Sequence, residues 1–234
     1  MRSHLGQVNV YLGRKGHTVR SYFLIFLFLS GCSFGLGAPT DPKQYFVLNE
    51  VPAQLCKTQS QVDKIIRVRE MEAGRFIDSQ RIIFSSDSRT RGYYQFAFWV
   101  DPPPRRMSFL LESALDSSEL FSGVVRESSG IAADYELVTE IIDFYHDTGE
   151  RPGRAKIKLQ AELVDLTNRQ VKARKIFFSD GKASSYNVEG AIDGFQSALE
   201  EVITGVVFWI EEELKVPEYL SEIESQVELP GEEL

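Results

Sequence analysis

Between Val188 and Ile210 the chain carries one apolar stripe at helical spacing. Val188, Ala191, Ile192, Phe195, Ala198, Leu199, Val202, Ile203, Val206 and Ile210 all fall on one face. A stripe of that length must be covered, and the strand-like segments upstream need a cover of their own. Core is therefore the expected role of this face, ahead of a partner-binding role. Asn187 is placed to cap the helix. Gly190, Gly194 and Gly205 each weaken it by about 1 kcal/mol against alanine, and their small size lets it lie close against a sheet. Beyond Leu214 come six Glu, one Lys and two Pro, so residues 215–234 are expected to form a solvated acidic tail without regular order.

The segments ahead of that helix mostly follow a two-residue period. Tyr45–Leu48 is a short β-prone run, and residues 64–70 put Ile66 and Val68 on one side, Arg67 and Arg69 on the other. Residues 81–84 and 93–100 follow; the second alternates aromatic side chains on both faces and is stopped by Pro102–Pro104. The period then changes. Met107, Leu110, Leu111, Ala114 and Leu115 recur at three- and four-residue steps and mark a helix, closed by Ser117, Ser118 and Gly123. Strands are expected at 135–145, 155–166 and 171–179, the last two joined by a short turn at Thr167–Gln170. Lys156, Lys158 and Gln160 alternate with Ile157, Leu159 and Ala161, so one face of these strands meets water.

The amino terminus carries a different kind of signal. Tyr22–Leu29 reads YFLIFLFL behind Arg14, Lys15 and Arg20. Eight residues of helix reach ~12 Å, well short of the ~30 Å hydrocarbon core, so the run reads as a secretory signal and not a span. Leu29-Ser30-Gly31-Cys32, which follows, resembles the bacterial lipobox. The resemblance implies a diacylglyceryl group on the Cys32 thiol, cleavage before Cys32 and acylation of the new amino terminus. Residues 1–31 are then the signal peptide and 32–42, SFGLGAPTDP after the cysteine, a lipidated flexible tether. Ser33 is not the aspartate that in many Gram-negative bacteria holds a lipoprotein at the inner membrane, so the implied destination is the periplasmic face of the outer membrane. Residues 1–13 exceed what a signal needs, and translation is expected to start at Val19 on a non-standard codon.

Charge and cysteine content exclude several classes. Residues 1–31 hold four Lys or Arg and no acid, which leaves 22 bases against 34 acids, a net charge of −12, on the 203-residue mature chain. Nucleic acid is not expected as a partner of so acidic a protein. With Cys32 lipidated, Cys56 has no cysteine to pair with and no histidine beside it, and reads as a bystander. Residues 57–106 hold ten bases and six acids, whereas 107–234 hold eleven and 26. Arg67, Arg69, Arg89 and Arg91 are thus candidate contacts for anionic headgroups or an acidic partner. His146, in DFYHDTG, could join Asp143 and Asp147 in a metal or acid–base site, but a strand-end histidine near a turn is the better reading. The sequence contains no P-loop and no nucleophile motif of the G-x-S-x-G or Cys/His kind.

Taken in order, several degenerate motifs resemble the ABC-type transport auxiliary lipoproteins, the family that contains the lipoprotein subunit of the Pqi intermembrane transport system. They are Tyr45–Leu48, Phe98-Trp99 with Asp101-Pro102-Pro103, and Ser118–Phe121 with Val124-Val125. Asp134–Leu137, Leu163–Asp165, and Phe195, Ala198, Leu199 and Trp209-Ile210 continue the match over residues 43–214. The resemblance implies a single compact α+β domain, an antiparallel-rich mixed sheet covered by two helices. It also implies a non-enzymatic subunit without cofactors beyond the covalent N-acyl and S-diacylglycerol lipid on Cys32. Its partners would be MCE-domain and permease subunits of a transporter moving lipids or other hydrophobic molecules across the envelope. The alternatives are a structural envelope lipoprotein and, less favoured, a hydrolase using paired carboxylates, which would need a close pair in a cleft with one strongly raised pKa.

Overall fold

The computed structural model describes residues 42–226, with side chains through Lys215. Cys32, the signal, the tether and Val19 lie outside the described residues. The elements are β1 (Gln44–Phe46), α1 (Ala53–Cys56), β2 (Val62–Val68), β3 (Glu72–Ala73), β4 (Arg81–Ser85), β5 (Gly92–Trp99) and α2 (Pro103–Ser118). They continue with β6 (Phe121–Arg126), a 3-10 turn (Glu127–Ser129), β7 (Tyr135–Asp147), β8 (Arg154–Asp165), β9 (Gln170–Lys182) and α3 (Val188–Gln226).

All nine strands join one sheet built on β7. Along one edge, β7 pairs antiparallel with β8 from Tyr135–Asp165 to Asp147–Arg154, and β8 pairs antiparallel with β9. The other edge is divided among three parallel neighbours: β2 beside Tyr135–Leu137, β3 beside Glu140–Ile141 and β4 beside His146–Asp147. From there β2 leads to parallel β6, while β4 leads to antiparallel β5 and then to parallel β1. The long antiparallel ladders of β7, β8 and β9 carry most of the sheet, and the shorter parallel pairs make it mixed. This is the α+β class expected.

The two long helices, α2 and α3, supply the cover. In α2 the buried side chains include Met107, Leu110, Leu111, Ala114 and Leu115, the stripe read from the sequence. Pro103 and Pro104 occupy its first positions, where a missing N–H costs nothing. In α3 the Asn187 Oδ1 accepts the Gly190 N–H at 2.9 Å, the cap expected there. At the centre Trp99 meets Phe144 and Phe195 edge-on, with centroids 5.8 and 5.4 Å away, while Phe144 and Phe195 stack at 4.6 Å. The opposite face of β5 points outward, where Phe98 stacks on Tyr45 at 5.6 Å.

Two features differ from the expectation. The helix α2 ends at Ser118 as expected, but Gly123 closes nothing; it lies inside β6, beside Ile65 of β2. And α3 continues past Leu214 to Gln226, so the acidic segment is helical over its first part. No helix among the described residues is long and apolar enough to cross a membrane.

Candidate partner-binding cleft

The carboxyl ends of β2 and β6 run parallel, and the first turns of α2 stand beside them. Between these elements lies an open cleft of about 690 Å³. Arg105, Phe109 and Glu112 reach it from α2 because their i, i+4, i+7 spacing puts them on the face opposite the buried stripe. Phe109 is 39% exposed, with the Arg106 and Arg126 guanidiniums 5.3 and 5.8 Å from its ring centre. The Arg126 Nε donates to Glu112 Oε2 at 2.6 Å. The Arg106 Nε is held by the Leu48 carbonyl at 2.8 Å. Ser108 ties the helix to the end of β2, accepting the Met71 N–H at 2.7 Å and donating to the Pro104 carbonyl. The floor thus offers guanidinium donors, carboxylate acceptors and one aromatic face. That combination fits a partner carrying both charges and some apolar surface better than a bare anion.

The four arginines singled out from the sequence do not form one patch. Arg67 lies against Glu136 at 3.5 Å and donates to the Ile131 carbonyl at 2.8 Å. Arg69 enters the cleft, 3.8 Å from Glu127 and 3.9 Å from Glu72. Arg89 and Arg91 belong to the β4–β5 turn. Arg91 lies 3.8 Å over the Tyr145 ring and 3.6 Å from Asp143. Glu136 and Asp143 are seven positions apart on β7, so the two pairs are roughly 23 Å apart along the strand. Arg67 and Arg69 share one end of the sheet; Arg89 and Arg91 share the other. Sequence reading missed Phe109 and Arg126. The available signal was a large aromatic standing off the helix stripe.

His146 is the strand-end histidine expected. It is buried, with its Nδ1 2.7 Å from the Tyr94 hydroxyl, and burial pushes its pKa down. Along β7, Asp143 and Asp147 lie on the other face from it, engaged by Arg91 and Lys156 respectively. Strand parity therefore splits the three residues that a metal site would have needed together. Burial alone would raise the Asp147 carboxyl, but the Lys156 ammonium at 2.7 Å and the Gly149 N–H hold it below the usual range. Cys56 is buried and desolvated, which raises its thiol pKa and makes it unreactive.

A helix-covered mixed sheet with a charged surface cleft defines an α+β domain. The chain belongs to the family of ABC-type transport auxiliary lipoprotein components, whose model matches residues 46–207. That membership makes it a lipoprotein-type auxiliary component of a transporter in the cell envelope. Its fold is similar to that of a solved protein from Xanthomonas campestris assigned to the DUF330 family model, with 23% identity and a TM-score of 0.68 over 75% of this chain and 99% of that one. A second solved structure, of an uncharacterised protein, is 13% identical with a TM-score of 0.57, covering 73% and 99%. No curated protein matches the chain.

Proposed function

We propose that the chain is anchored through lipid on Cys32 at the periplasmic face of the outer membrane. There it serves, as a non-catalytic subunit, a transporter that moves lipids or other hydrophobic molecules across the envelope, alongside MCE-domain and permease subunits. The observation that carries this reading is one of order. The Leu29–Cys32 signal stands a short Gly- and Pro-containing segment ahead of a domain of the transport auxiliary family. The mixed-charge cleft beside Phe109 supports docking on a protein partner. Asp87, Asp134, Asp147, Asp165, Asp180 and Glu211 are all held below their ordinary pKa, opposite to the raised carboxyl that a paired-carboxylate hydrolase requires.

Purification of the full chain from solubilised membranes tests the reading. MCE-domain and permease proteins should co-purify in fixed proportion; envelope scaffold proteins in their place would favour the structural alternative. The arginine contacts divide into two ends and are tested separately. Arg69→Glu at the cleft and Arg89→Glu with Arg91→Glu at the β4–β5 turn should each weaken association and its salt dependence. Binding that is unchanged across salt concentrations in both variants would remove the arginines from the interface.

A further inference from the structure

The sheet has one long free edge. Among the described residues β9 pairs with β8 alone, and its other side is bare over 13 residues. An edge of that length exposes a row of unpaired N–H and C=O groups, a template for another strand. Two large apolar side chains stand on its solvent face, Ile176 at 53% and Phe178 at 57% exposure. An irregularity in the β8–β9 ladder sets Lys172 out of register. From Ala173 to Gly181 the strand is regular, and Phe177 is its midpoint.

That stretch is complementary to itself. Arg174 and Asp180 share the solvent face with Ile176 and Phe178, and each lies three residues from Phe177. We propose that a second copy of this chain pairs with this edge, β9 against β9 antiparallel, on a two-fold axis through Phe177. In this register Arg174 faces Asp180 of the second copy, and Ile176 faces its Phe178. On the helix-covered side Lys175 meets Ser179 and Ala173 meets Gly181. Within Ala173–Gly181 no like charges oppose each other; outside that stretch the register brings Lys172, at the ladder irregularity, towards Lys182 of the second copy. Within one chain Glu162 already pairs Arg174 at 2.7 Å, and Lys156 stands beside Asp180 on β8. The row across both copies then reads Glu162, Arg174, Asp180, Lys156, alternating in sign, and the axis repeats it. Directly opposed pairs of this kind stabilise antiparallel strands.

Neighbouring registers fit less well. Faces match only when the axis moves by whole residues. An axis at Ile176 sets Arg174 opposite Phe178 and leaves the Asp180 charge without Arg174. An axis at Phe178 sets Arg174 opposite Lys182, and one at Lys175 sets Lys175 against itself. Edge charges ordinarily keep strands apart; here their placement about Phe177 turns them into partners. The interface is isologous and closed, so it ends at two copies.

The test uses the full chain in detergent. Sedimentation velocity should give the mass of a dimer. Ile176→Asp should halve that mass without lowering the melting temperature, because residue 176 is exposed in the single chain. The double variant Ile176→Cys, Phe178→Cys, once oxidised, should form a covalent dimer that reductant reverses. Either single variant should not, since like positions sit diagonally at about 7–8 Å in this register. A wild-type monomer at every concentration would overturn the proposal. So would assemblies that survive Ile176→Asp, covalent ladders beyond the dimer, or single variants that cross-link as well as the double one.

Discussion

Trp99 shows how much one side chain holds. It is 2% exposed and set edge-on against both Phe144 and Phe195, so it joins β5, β7 and α3 in one contact. Trp99→Ala should cost about 3–5 kcal/mol in urea unfolding and lower abundance in cells. Phe98→Ala, on the outer face, should cost far less. A Trp99→Ala protein as stable as wild type but deficient in partner binding would make Trp99 an interface residue instead. His146 gives a pH dependence whose sign follows from burial. Burial lowers its pKa, and the Pro152 backbone and the Asp147 charge offset this only in part. The unfolded chain takes up a proton near pH 6.5 while the folded chain resists it. The stability His146 contributes is therefore full above about pH 6.5 and is lost as pH falls through its lower folded value. His146→Gln should flatten that part of the stability–pH curve; an unchanged slope would refute the account. Gly153 closes over the same ring with a φ of 102°, and a Cβ there would collide with His146 Nε2. Gly153→Ala should destabilise the fold on both counts.

At the scale of elements the decisive contact is α3 on β9. A Cβ added at Gly194 would sit 2.8 Å from the Gly181 carbonyl oxygen and 3.3 Å from Ala155 Cβ. Gly194→Val should lower stability by about 1–3 kcal/mol through overpacking, whereas Ser197→Val on the exposed side of the same helix should cost much less. Equal losses would mean that helix propensity, and not the close approach, sets the effect. This contact was legible in advance, because glycines interrupting an apolar stripe have few uses other than close packing. The stripe itself, the Asn187 cap and the wet face of β8 were legible for the same reason: each is written in local spacing. What spacing does not contain is the choice of neighbour. The division of one edge of β7 among β2, β3 and β4 depends on residues far apart in the chain. So does the separation of Arg67 from Arg91. Charge asymmetry was visible in the composition; the length of β7 that divides it was not. β6 was missed because Gly123 reads as a breaker, although in the fold it is an ordinary strand position paired with Ile65.

At the scale of the whole molecule, a lipid anchor on Cys32 as proposed should be separable from the fold. The first strand begins at Gln44, and β1 is a three-residue strand at a sheet edge, parallel to β5. The core cluster starts at Leu48 and is closed by α2, α3 and the sheet. A single acyl chain gives only reversible membrane binding, at ~0.8 kcal/mol per buried methylene, whereas the three chains of a lipobox product would make attachment effectively permanent. A version beginning at Pro39 behind a cleavable signal should therefore be a soluble, folded periplasmic protein with the melting temperature of the intact domain. It should bind its transporter partner in vitro yet fail to support transport at native expression level, because it would lack the proposed anchor that concentrates it at the membrane. Cys32→Ala in the full chain should likewise move the protein out of the membrane fraction. Fractionation, thermal melting and a binding assay on the same preparations check this together. If the version from Pro39 does not fold, the segment before it belongs to the core, and the boundary between tether and domain lies earlier in the chain.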